Sequence, residues 1–164
     1  MKILNYYFRA PVLIDYLLAL GLCFGAYKLC KNHIITLPAA EQIYSMSSDL
    51  TTIGLTLAGF ILTFLTVLIT FKADNRVTPD NYNSDSPAFE LFFGSHLYFQ
   101  TIEHLKNATK SLIFLTVLGY SLKLLIAQSS ISYLYYYNIM GPAVIALTLW
   151  RSLLILTKIL KLQR

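Results

Sequence analysis

From Leu50 to Phe71 the chain runs for about 22 residues without a charge, roughly 33 Å as a helix at 1.5 Å per residue. A segment of that length and character matches the hydrocarbon thickness of a bilayer, and in lipid its backbone must satisfy itself as a helix. The whole chain agrees: of 164 residues, 56% are hydrophobic and 13% charged, against about a quarter charged in an average soluble domain. Mean hydropathy is +0.58. The sequence therefore describes an all-α integral membrane protein.

Three further apolar segments complete the plan: about Pro11 to Cys30, about Ala108 to Gln128, and from between Tyr133 and Asn138 to near Leu160. Pro11 suits a first helical turn. The first run follows Lys2 and Arg9, but Asp15 interrupts it and no small-residue cleavage site follows, so it reads as a retained span. The organisation expected is a first transmembrane hairpin over 1–71, a loop with an amphipathic helix over 72–107, and a second hairpin with a basic end over 108–164.

Basic residues set the expected orientation. Lys2, Arg9, Lys72, Arg76, Lys106, Lys110, Lys158, Lys161 and Arg164 fall on one side, against Lys28, Lys31 and Lys123 on the other. The positive-inside rule then makes both termini and the central loop cytoplasmic. The net charge of +5 is accounted for by topology and anionic headgroups; no basic stripe with interleaved aromatics calls for nucleic acid. Tyr6, Tyr7 and Phe8, the cluster Tyr133, Tyr135, Tyr136 and Tyr137 in a loop, and Trp150 are expected as interfacial aromatics. The C-terminal stretch from Arg151 could instead lie partly along the interface.

The second span carries a pattern within its apolar run. Thr52, Thr56, Gly59, Thr63, Thr66 and Thr70 are spaced 4, 3, 4, 3 and 4, a heptad-like stripe on one helical face, with Ser45 and Asp49 extending it backward. Gly54 and Ala58 form a small-xxx-small pair assigned to an adjacent face. Such a stripe serves close helix–helix approach in an oligomer. Alternatively it lines a pore, with Asp49 as a cation-attracting ring at the mouth.

Intramembrane charges are costly and mark function or pairing. Asp15 and Arg151 lie at comparable expected depth, so they form a neutral pair, or Arg151 snorkels to headgroups. Asp49 and Lys123 are a second candidate pair on the outer side. In the loop, Ser86 and Pro87 signal a helix start that can run directly into the third span. Its residues Phe89, Phe92, Phe93, Leu97, Phe99, Ile102 and Leu105 are too many apolar groups for a solvated helix and form a candidate docking face for a cytosolic partner, a neighbouring protomer or the bilayer surface. Gly141-Pro142 kinks the fourth helix or marks its start.

No chemistry is legible. His96 and His104 are eight residues apart and lack a zinc-protease frame; no phosphate loop, dinucleotide fingerprint or nucleophile elbow occurs. Cys23 and Cys30, seven apart, share a helical face about 10 Å apart, too far for a disulfide within one helix. Neither catalytic residues, a metal site nor a cofactor is expected, and the reading is non-enzymatic.

The four-helix plan, the stretch GLTLAGFILTFLTVLITF and the central cytoplasmic helix together resemble small bacterial membrane proteins of anti-phage defence, the membrane component of Kiwa among them. The resemblance covers the whole chain as architecture and assigns no residue a role. It implies a homo-oligomer, a tetramer in that system, acting with a cytosolic partner to sense envelope perturbation or to depolarise the membrane. Membrane immunity proteins against pore-forming colicins share the same plan.

Overall fold

The computed structural model describes residues 11–74, 93 and 96–161. The described residues form four long α-helices: α1 (Pro11–Lys31), α2 (Ala40–Asp74), α3 (His96–Leu125) and α4 (Ile131–Lys161), with a 3₁₀ turn at Gln128–Ser130 before α4. All four helices contain stretches long and apolar enough to cross a membrane.

Local chemistry explains the ends. Pro11 opens α1, where a missing N–H costs nothing. At the other end Lys28 and Lys31 face the negative pole of the helix dipole. His33 takes a left-handed conformation at φ 56°. Around it Ile34 N–H donates to Leu29 O and His33 N–H to Cys30 O, both at 3.1 Å, the pair of bonds that closes a Schellman cap.

α2 begins ten residues earlier than the apolar run and continues through Lys72, so the second helix is 35 residues long. Asp49 therefore lies within the helix, just before the apolar run. α3 is continuous for 30 residues. The helix expected in the central loop and the third span are thus one element from His96 onward; Pro87 to Phe92 lie outside the described residues. α4 starts at Ile131, with Gly141-Pro142 inside it rather than at its start. The tyrosine cluster consequently sits on the first turns of α4 and not in a loop. Only Tyr133 is exposed, while Tyr135 and Tyr137 are buried.

α2 packs along α3 in the longest interface, and α1 packs on α4. α4 also meets α2 and α3, whereas α1 barely touches α3. The burial pattern is that of a bundle for lipid. Large apolar side chains such as Leu13, Phe24, Phe60, Phe114 and Leu125 face outward, while Asp15, Ser47, Asn138, Thr148 and Arg151 are enclosed.

Small residues set the helix spacing. A Cβ at Gly54 would lie 2.6 Å from Thr116 Cγ2, so α2 and α3 approach here as closely as glycine permits. Gly119 similarly makes room for the Tyr137 ring, whose hydroxyl donates to Leu115 O at 2.7 Å.

Candidate functional site

The outward face of α2 is the first candidate. Ile43, Ser47, Leu50, Gly54, Ala58, Ile61 and Leu68 are buried against the rest of the bundle. Ser45, Asp49, Thr52, Thr56, Gly59, Thr63, Thr66 and Thr70 are all exposed. At about 100° per residue the two sets lie on opposite sides of the helix. The Gly54/Ala58 pair therefore belongs to the buried side, not to a face next to the stripe. It is used within the chain, whereas nothing in the bundle touches a Cβ placed at Gly59.

The threonine hydroxyls turn inward along the helix. Thr56 Oγ donates to Thr52 O at 2.8 Å, Thr63 to Gly59 O at 3.0 Å, Thr66 to Leu62 O at 3.0 Å and Thr70 to Thr66 O at 2.9 Å. Thr52 donates to Ser48 O at 3.0 Å. Each hydroxyl proton is thus satisfied without water. What the stripe offers outward is methyl groups, a flat glycine and residual acceptor lone pairs.

A second observation concerns depth. Gly54 lies against Thr116, Ser48 accepts from Lys123, and Lys72 Nζ sits 4.0 Å above the Phe99 ring and 4.5 Å above Tyr98. This register puts Phe60 of α2 level with Lys110 of α3, and Phe71 level with Phe99. Over that interval α2 exposes Phe60, Leu62, Val67, Ile69 and Phe71. Across the same interval α3 exposes Gln100, Glu103, Lys106 and Lys110. The apolar run of α2 thus ends about 10 residues, or ~15 Å, beyond the point where the α3 surface becomes charged. Lipid suits the first surface and water the second, so neither solvent alone suits this hairpin.

The third place is the charge pair. Arg151 Nη1 donates to Asp15 Oδ2 at 2.6 Å, and each side chain is 1% exposed. The pair joins α1 to α4 in the bundle interior, and Arg151 is enclosed there rather than extended to the outer surface of the bundle. Arg151 Nε and Nη2 and the nearby Thr148 Oγ are enclosed with no hydrogen-bond partner among the described residues. Next to Asp15, Tyr16 Oη approaches Ser111 O at 3.4 Å and accepts from Ser111 Oγ at 3.3 Å, tying α1 loosely to α3.

Asp49 and Lys123 do not come together. Asp49 sits on the outward face of α2, while Lys123 Nζ donates to Ser48 Oγ. Lys123 approaches from the α3 side, and Ser48 rather than Asp49 is the neighbour within its reach.

The seven loop residues do not form one surface. Phe93 is fully buried beside Tyr98, ring centroids 5.5 Å apart, and Leu105 is also buried. Ile102 is half-buried, while Leu97 and Phe99 are exposed. Phe89 and Phe92 lie outside the described residues. Once α3 packs along α2, its own helix consumes part of the apolar excess that reads as a docking face.

Sequence reasoning missed Asn138, whose Nδ2 donates to Ile43 O at 2.8 Å inside the bundle. An amide within an apolar segment was the available signal. Among the described residues no three His, Cys, Asp or Glu side chains gather as metal ligands. Cys23 and Cys30 are both free thiols. Comparison with family models, curated proteins and solved structures returns no match.

Proposed function

We propose that this chain is a non-enzymatic, multi-pass protein of the bacterial inner membrane that works as a homo-oligomer assembled through the outward face of α2. The observation that carries this reading is the ridge Thr52–Thr56–Gly59–Thr63–Thr66–Thr70, exposed on the side of α2 opposite its packed face. Internally satisfied hydroxyls and an open glycine favour close contact with another helix. The depth offset between α2 and α3 adds to it, since a second copy laid on Phe60 to Phe71 removes the conflict between apolar and charged surfaces at one level.

In this reading both termini and the Lys72–His96 connection are cytoplasmic, and exposed Leu97 and Phe99 meet a cytosolic partner. The resemblance to anti-phage membrane components supplies the physiological role, a sensor or effector of envelope damage, with a tetramer as the favoured assembly. Native mass spectrometry of the protein released from membranes tests the assembly directly. A defined multimer that falls to monomer on combining Gly59→Leu with Thr63→Leu is expected; a monomeric wild-type chain would overturn the reading. Phage challenge of cells with and without the gene tests the role.

Asp49, exposed at the end of the same ridge, favours a second reading in which the assembled ridges line a cation pathway through their acceptor lone pairs. Conductance across planar bilayers that changes with Asp49→Asn would support it. Silent bilayers containing the intact multimer would exclude it.

A further inference from the structure

We propose that the groove between α1 and α3 binds one anionic phospholipid, with its phosphate on Lys110 and Asn107 and an acyl chain against Val12 and Phe114. This rests on the bilayer-spanning part of the reading above and is independent of the oligomer. The groove has a volume of about 520 Å³ and is lined by Val12, Tyr16, Asn107, Lys110, Ser111 and Phe114. It exists because α1 packs on α4 and leaves α3 almost untouched, so the gap opens sideways, toward the surface a lipid would occupy.

Its lining is graded in the way a phospholipid is graded. At one end Lys110 is exposed and has no carboxylate within ion-pair distance among the described residues. Asn107, one turn earlier and half-buried, adds an amide donor. Val12 and Phe114 supply apolar walls, and the Tyr16–Ser111 contact closes the floor. Lys110 also marks the turn where the outward surface of α3 changes from Glu103, Lys106 and Lys110 to Ile113, Phe114 and Val117. A groove that straddles such a change receives a charged head and an apolar tail together.

Charge favours an anion over a zwitterion. Lys106 and Lys110 are spaced i, i+4, so they repel along the helix, and a phosphate beside them relieves that repulsion. Glu103, two turns from Lys110, is the nearest acidic residue on that face, and the buried Asp15–Arg151 pair one layer inward is neutral overall. Basic grooves between spanning helices are established sites for anionic headgroups.

The test uses the full-length chain in nanodiscs and detergent. Retention of phosphatidylglycerol against phosphatidylcholine is measured by native mass spectrometry in wild type, Lys110→Gln and the opposite-end control Lys28→Gln. Wild type and Lys28→Gln should prefer phosphatidylglycerol, and Lys110→Gln should lose about five-fold of that preference. Soluble glycerol phosphate should not displace the lipid, because it lacks the chain that fills the apolar half. Equal retention of the two lipids, an unchanged preference in Lys110→Gln, or displacement by glycerol phosphate would each overturn the proposal. Carbonate extraction of the same variants reports insertion separately, so loss of the lipid site is distinguishable from failure to span the membrane.

Discussion

Replacing Arg151 with Met leaves the Asp15 carboxylate enclosed at 1% exposure with its 2.6 Å partner gone. Breaking one side of a buried ion pair costs about 3–5 kcal/mol, because the remaining charge loses its counter-charge. Asp15→Leu strands the guanidinium in the same way, and two of its nitrogens already have no partner among the described residues. The double variant removes the desolvation of both ions and the unmet donors of Arg151 together. Either single variant should therefore lose roughly 6–20 °C in melting temperature, at about 2–4 °C per kcal/mol for a chain of this size. The double variant should return close to wild type or exceed it. Labelling by a thiol-reactive dye during heating in detergent micelles reads this out, since Cys23 and Cys30 are free and partly buried. Trp150, which is exposed, is a poorer reporter of unfolding. A double variant as unstable as the worse single would refute the reasoning, as would singles that melt with wild type.

Two other substitutions separate local effects. His33→Gly relieves a side chain held at φ 56° in the α1 cap and should stabilise by about 0.5–1 kcal/mol, read in the same melt as a rise of a few degrees. Gly54→Leu drives a side chain into Thr116 and should destabilise the monomer by about 1–3 kcal/mol or more. By contrast, Gly59→Leu should leave the fold's melting temperature in detergent monomers unchanged while weakening self-association, measured by native mass spectrometry.

Much of this architecture is carried by composition. An uncharged run as long as Leu50–Phe71 has few solutions other than a spanning helix, and the 3–4 spacing of its threonines fixes their common face whatever surrounds them. Spacing cannot say which way such a face points. That required the close approach of Gly54 to Thr116, which turns the Gly54/Ala58 side inward and leaves the threonines outside. The start of α2 was hidden because Glu41, Ser45, Ser47, Ser48 and Asp49 read as a polar lead-in, yet a helix anchored by buried Ile43 and Ser47 absorbs them. The apolar residues before the third span read as one docking surface because sequence alone does not show which of them the fold covers; Phe93 and Leu105 are buried, while Leu97 and Phe99 stay exposed. The distance between Asp15 and Arg151, 136 residues apart in sequence, comes from the pairing of α1 with α4, which no local pattern encodes.

The central claim is that α2 meets α2 of another copy along the threonine face, and cysteine cross-linking in native membranes tests it most directly. In a background lacking Cys23 and Cys30, single cysteines are placed at Thr52, Thr56, Gly59, Thr63, Thr66 and Thr70 and at the inward positions Ala58 and Ile61, then oxidised. The account predicts covalent dimers at the outward positions with a 3–4 periodicity and none at Ala58 or Ile61. Monomers throughout, or cross-linking without that period, would contradict it.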